Sequence, residues 1–133
     1  MISKYLECHY KSGGRGEVID GIMYQDCWGL TRAARHELYG KPLLPSLAGA
    51  RHGCKGSIQE AYLEQRAKMK LCERMPGAVV SVSRRGICVH VALMVNGNNV
   101  LEIKREGQRA RLTPWREFAR QYPAPLWEIE FYD

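Results

Sequence analysis

The stretch Ile87–Lys104, ICVHVALMVNGNNVLEIK, decides the fold. Its alternation predicts two strands, Ile87–Val95 and Asn99–Lys104, with Asn96-Gly97-Asn98 as the turn. Ile87, Val89, Val91, Leu93 and Val95 share one face and read as core, while Cys88, His90, Ala92 and Met94 share the other. A three-residue loop with Gly97 at left-handed dihedrals pairs Val95 with Asn99 and Ala92 with Glu102. Leu101 and Ile103 then join the aliphatic face, and Glu102 lies diagonally from His90, roughly 7 Å away between backbones. A one-residue slip would break both matches at once.

Working outward, Ala78–Ser83 and Leu126–Tyr132 read as further strands, and Thr113-Pro114 opens a short helix to about Gln121. On the N-terminal side Asp26 is the expected N-cap of a helix over Cys27–Tyr39, with Gly40 as its stop. Cys27, Leu30, Thr31, Ala34 and Leu38 form one stripe, and Arg32, Arg35, His36 and Glu37 face elsewhere. Ser57-Ile58-Gln59-Glu60 is a capping-box pattern for a second helix, to about Cys72. Residues 11–21 and 40–56, rich in Gly and Pro, read as loops. Helices first, then an antiparallel sheet, is an α+β layout in one domain over residues 1–133.

The 133 residues carry a net charge of +6, and no run of 18 apolar residues exists to span a membrane. The N-terminal MISKYLECHYKSGG has no apolar h-region, so synthesis in a cytoplasm without a signal peptide is expected. Five cysteines without a C-x-x-C pair favour neither a disulfide framework nor zinc, so reduced thiols are the default. His52-Gly53-Cys54 and Cys72 match no common zinc spacing; no metal and no cofactor are expected. Arg84-Arg85, Lys104-Arg105, Arg109 and Arg111 concentrate the charge in the C-terminal half. Such a surface suits nucleic acid, acidic lipid or an anionic wall polymer. Without a zinc-finger spacing, an RNP-like aromatic motif or a basic helix, nucleic acid is not the expected partner.

Cys27 is the most informative residue for chemistry. At a helix start after a glycine-rich loop, backbone N–H groups and the helix dipole lower a thiol pKa, although the neighbouring Asp26 opposes this. For an average cysteine, a small buried hydrophobe on the core stripe is the commoner role. A thiol nucleophile needs a base. His36 lies on the opposite helix face and is rejected, and His9 and His52 read as surface residues. His90 interrupts an apolar strand. It fits a hydrogen-bonded core histidine as well as a base facing the helix that carries Cys27. Glu102 fits either a solvated strand glutamate or the carboxylate that orients such an imidazole.

With these residues in view, the chain resembles the NlpC-type cell-wall cysteine peptidases, a papain-like α+β family that cuts peptidoglycan stem peptides. Tyr10-Lys11-Ser12-Gly13-Gly14 is similar to the family's Y-x-x-G-G segment, and Asp26-Cys27-Trp28-Gly29-Leu30 to its D-C-x-G-[LF] nucleophile motif. Pro76-Gly77 and His90-Val91-Ala92-Leu93 resemble its P-G-D and H-V-G-[IL] segments. The resemblance implies that Cys27 is the nucleophile and His90 the base, with Tyr10 and the Cys27 backbone N–H at the oxyanion site. The third catalytic position, usually histidine or a side-chain amide, falls on Glu102. Ala78 replaces the P-G-D aspartate and Ala92 the H-V-G glycine.

The Trp28 variant of the motif looks most like phage-tail-associated members, so other phage tail proteins are expected partners besides the stem peptide. A catalytically inactive tail-tip or wall-binding module of the same fold, and an injected antibacterial amidase, are the alternatives. If Cys27 is the nucleophile, it should alkylate fastest of the five cysteines near neutral pH.

Overall fold

A computed structural model describes residues 2–47 and 57–133. In chain order the elements are α1 (Ile2–Leu6), β1 (His9–Tyr10), β2 (Arg15–Ile19), β3 (Ile22–Gln25) and α2 (Cys27–Tyr39), followed by α3 (Ser57–Arg66) and β4 (Leu71–Cys72). Then come β5 (Val79–Arg84), β6 (Ile87–Asn96), β7 (Asn99–Glu102), β8 (Arg111–Pro114), α4 (Trp115–Arg120) and β9 (Trp127–Tyr132). The fold is α+β. An antiparallel six-stranded sheet runs β4-β9-β5-β6-β7-β8, and a small three-stranded sheet runs β1-β3-β2. No helix among the described residues is long and apolar enough to cross a membrane.

Helix α2 forms for the reasons its sequence announces. Asp26 accepts from the Gly29 N–H at 2.8 Å, and Gly40 closes the last turn at φ 63° by donating to the His36 carbonyl. Its buried stripe of Cys27, Leu30, Thr31 and Ala34 packs against β6 and β7, where Val91, Leu93 and Leu101 are buried. On the other face Val80, Val82, Ala92, Met94 and Val100 bury Phe118 of α4, and the rings of Trp115, Tyr122 and Trp127 extend that layer.

Several expectations are corrected. Residues 11–21 are not all loop: Asp20 and Gly21, at φ 52° and 79°, turn β2 into β3, and this small sheet precedes α2. Thus helices do not simply come first. The second helix stops at Arg66; Leu71 and Cys72 instead pair with Tyr132 and Phe131, which supply an open strand edge. Arg35 does not face away but is buried, donating to the Gly77 carbonyl and pairing with Asp133 at 3.1 Å. His9 is half-buried with its ring edge-on to Tyr24 rather than lying free on the surface.

The β6–β7 hairpin turns through two residues, not three. Asn96 faces Asn99, Gly97 does not take a positive φ, and the irregular residue is Val95. Inside that bulge Leu93 pairs with Leu101, which is the register the aliphatic pattern demanded. A second bulge lies at Val89, because Val82 pairs with His90 but Ser83 with Cys88. The extra residue reverses the alternation. Ile87 and Val89 are consequently exposed, at 55% and 41%, and Cys88 moves to the face that α2 covers.

Candidate functional site

The sequence Gly13-Gly14-Arg15 and the N-terminus of α2 are built into one another. The Asp26 carboxylate accepts from the Gly13 and Gly29 N–H groups and pairs with Arg15 at 2.7 Å. A Cβ on Gly29 would stand 2.2 Å from the Gly14 carbonyl oxygen and 2.4 Å from Gln25 Oε1, and one on Gly14 would meet the Gln25 backbone at 2.8 Å. Only glycine permits this approach. Both motif glycines therefore serve to press the loop against the turn that presents Cys27.

Arg15 also fixes the segment that follows α2. Its remaining N–H groups donate to the Ser46 and Leu47 carbonyls, while Trp28 Nε1 donates to Pro45 and Arg32 to Leu44. The strap is thereby held over the helix start, and Leu47 lines the cavity at Cys27. The expected loop 40–56 is described only as far as residue 47; His52 and Cys54 lie outside the described residues.

That cavity is bounded by Cys27, Trp28, Leu47, Tyr62, Cys88, His90 and Val91. Its volume is about 20 Å³, room for roughly one water molecule. Tyr62 of α3 is tied to Ser81 at 2.5 Å, and the Val91 backbone N–H bonds the Cys27 sulfur. The thiol is not acidified. Burial, reinforced by the Asp26 charge, pushes it up to about 12, overriding the N–H groups that act the other way. This corrects the expectation, drawn from helix position alone, of a depressed thiol pKa.

His90 stands on the Val82–Ala92 face of β6, its ring 6.3 Å from that of Phe118, yet it also borders the Cys27 cavity. Its Nε2 lies 3.0 Å from Glu102 Oε1. Nδ1 is then the ring nitrogen left to exchange a proton with a thiol. Glu102 is fully buried rather than a solvated strand residue, and its second oxygen accepts from the Thr113 hydroxyl, which itself accepts from Arg111 Nε at 2.8 Å. Burial raises the carboxyl's pKa, but the bonds from His90 and Thr113 outweigh it and hold the group below the usual carboxylate range. Thr113, on β8, was not anticipated; only the β7–β8 pairing, which sets Arg111 opposite Glu102 and Thr113 opposite Val100, brings it within reach.

Tyr10, on β1 beside Gln25, is half-buried; burial and then the nearby Cys27 and Asp26 raise its hydroxyl's pKa. It does not line the cavity. Tyr122 is a group that motif reading missed: burial, with Glu102 and Cys27 adding to it, pushes its hydroxyl up to about 12. It thus lies within electrostatic reach of both. Ala78 and Ala92 are buried in the apolar layer around Phe118, where a carboxylate at position 78 would lack water. Cys8, Cys72 and Cys88 are free thiols. No cluster of metal-ligating side chains occurs among the described residues.

Compared with known proteins, the chain matches no family model and no curated protein sequence.

Proposed function

We propose that the chain is a cysteine peptidase or amidase of the NlpC type, with a papain-like arrangement, hydrolysing an amide bond in peptidoglycan stem peptides. A phage tail or tail-assembly component is the setting we infer. The observation that carries the reading is the Glu102–His90 bond, 3.0 Å long and buried, at the wall of the cavity that holds Cys27. In this mechanism His90 Nδ1 takes the Cys27 proton as sulfur attacks the scissile carbonyl, so a neutral resting thiol is no obstacle. Glu102 holds the ring and offsets the imidazolium charge. The Cys27 backbone N–H and the Tyr10 hydroxyl stabilise the oxyanion, and His90 returns its proton to the leaving amine. Water then cleaves the acyl-enzyme.

The test is incubation with muropeptides. Wild type releases stem fragments and Cys27→Ala does not; equal release by both removes the assignment.

One observation favours a second reading, a non-enzymatic tail-tip or wall-binding module. The cavity of about 20 Å³ admits no peptide as it stands, and the thiol is held protonated. Binding of intact peptidoglycan by wild type and Cys27→Ala alike, without turnover by either, would establish it.

A further inference from the structure

A large concavity on the described surface lies away from Cys27, where the segment after β7, strand β8 and helix α4 meet. It encloses about 670 Å³. Five cations line it, Lys104, Arg105, Arg109, Arg111 and Arg120, against the single carboxylate of Glu117. An excess of four positive charges is thus gathered in one groove of a chain whose net charge is +6.

Little in the fold neutralises that excess. Arg111 pairs with Glu117 at 3.1 Å and Arg109 with Glu7 at 2.9 Å, and in both pairs each side chain is more than half exposed. Such pairs contribute at most about 1 kcal/mol and exchange readily for a stronger anion. Lys104 bonds the neutral Gln121 amide, lies over the Tyr122 ring and acts on the buried Glu102 carboxylate only through its field, and Arg105 and Arg120 form no ion pair with a described residue. Like charges collected in this way repel unless an anion joins them.

The shape and chemistry select the kind of anion. Four of the five cations are arginines, whose planar forks match phosphate oxygens in pairs. They come from three parts of the chain, the segment after β7, strand β8 and helix α4, and a chain of repeated phosphates can engage more of them than a single phosphate can. Among the described residues no aromatic ring lines the groove; Tyr122 is packed between Phe118 and Trp127 instead. Grooves that hold nucleic-acid single strands offer rings on which bases stack. We propose that this groove binds a base-free phosphodiester chain, a polymer with repeated phosphates and no nucleobases. This binding stands independently of any chemistry at Cys27.

The experiment titrates the full chain with a short poly(glycerol phosphate), with inorganic phosphate, and with single-stranded DNA of equal phosphate number, at low and moderate salt. Poly(glycerol phosphate) is expected to bind most tightly, with affinity falling as salt rises. Arg105→Glu/Arg120→Glu should weaken it by about tenfold or more and lower the salt slope by about one per lost contact. Lys68→Glu/Lys70→Glu makes the same charge change on exposed residues outside the groove and should bind within a few-fold of wild type. Equal loss in both double variants would mean diffuse attraction and overturn the site. So would undiminished binding by Arg105→Gln/Arg120→Gln, the fallback if the glutamates misfold. Equal affinity for inorganic phosphate removes the polymer, and equal or tighter binding of DNA removes the base-free assignment.

Discussion

The cavity at Cys27 and the groove beside α4 differ about as much as two concavities on one small protein can. The first is about 20 Å³ and walled by a thiol pair, aromatic rings and an imidazole; the second is about 670 Å³ and walled by cations. Among the described residues the large one is lined by neither a thiol nor an imidazole. The small one brings both together, and the hydrolysis proposed for them needs exclusion of water and fixed partners more than room. The two are nonetheless joined through hydrogen bonds: Arg111 at the groove donates to Thr113, Thr113 to Glu102, and Glu102 holds His90.

Substitutions that separate the two regions sharpen the contrast. The largest effect belongs to His90→Ala, which should cost roughly 10²–10⁴-fold in muropeptide turnover while leaving polymer binding in the groove unchanged. Turnover at the wild-type rate would deny the cavity its role.

Next in size is Arg15→Met. It strands Asp26, whose side chain is 3% exposed, without its cation, and an uncompensated buried charge of this kind costs about 3–5 kcal/mol. The loss is read from urea unfolding. A change below about 1 kcal/mol would mean that the glycine contacts alone hold the loop to α2.

Glu102→Gln is expected to be smaller and dependent on pH. Because the carboxyl's folded pKa is lowered, its stabilisation is present above the unfolded value near 4.5 and fades as pH falls through the folded one. The wild type should therefore exceed the variant in stability at pH 7, and the gap should close as pH falls below the unfolded value. A gap that does not change with pH would remove the ionised bond to His90.

The smallest effect is kinetic. In the resting protein partly buried Cys72 should react with iodoacetamide before buried Cys27, as mass spectrometry of the labelled peptides would show. Faster labelling of Cys27 would mean that the cavity opens readily in solution.

How legible all this was depends on how local the cause is. The α2 caps, its buried stripe and the His90–Glu102 diagonal follow from spacing within one helix and one hairpin. The turn at Asp20-Gly21 was equally local, since an Asp-Gly pair between Val18-Ile19 and Ile22 is a hairpin signal. The glycine-rich stretch around it reads as loop and masks that signal. The Val89 bulge was not legible, because it exists only against β5. Nor was the burial of Arg35, whose partner Asp133 lies 98 residues away.

By itself the sequence determined the register of β6 on β7 and the place of Cys27 at a capped helix start, since both rest on alternation and capping between near neighbours. The tertiary structure alone decided the state of that thiol. A helix N-terminus acidifies a cysteine when water or an ion pair can share the charge; here Leu47 of the strap, Tyr62 and the sheet close over the sulfur, and desolvation wins. It likewise decided where the surplus charge of +6 became a groove, because Lys104, Arg111 and Arg120 meet only when β8 turns back on β7.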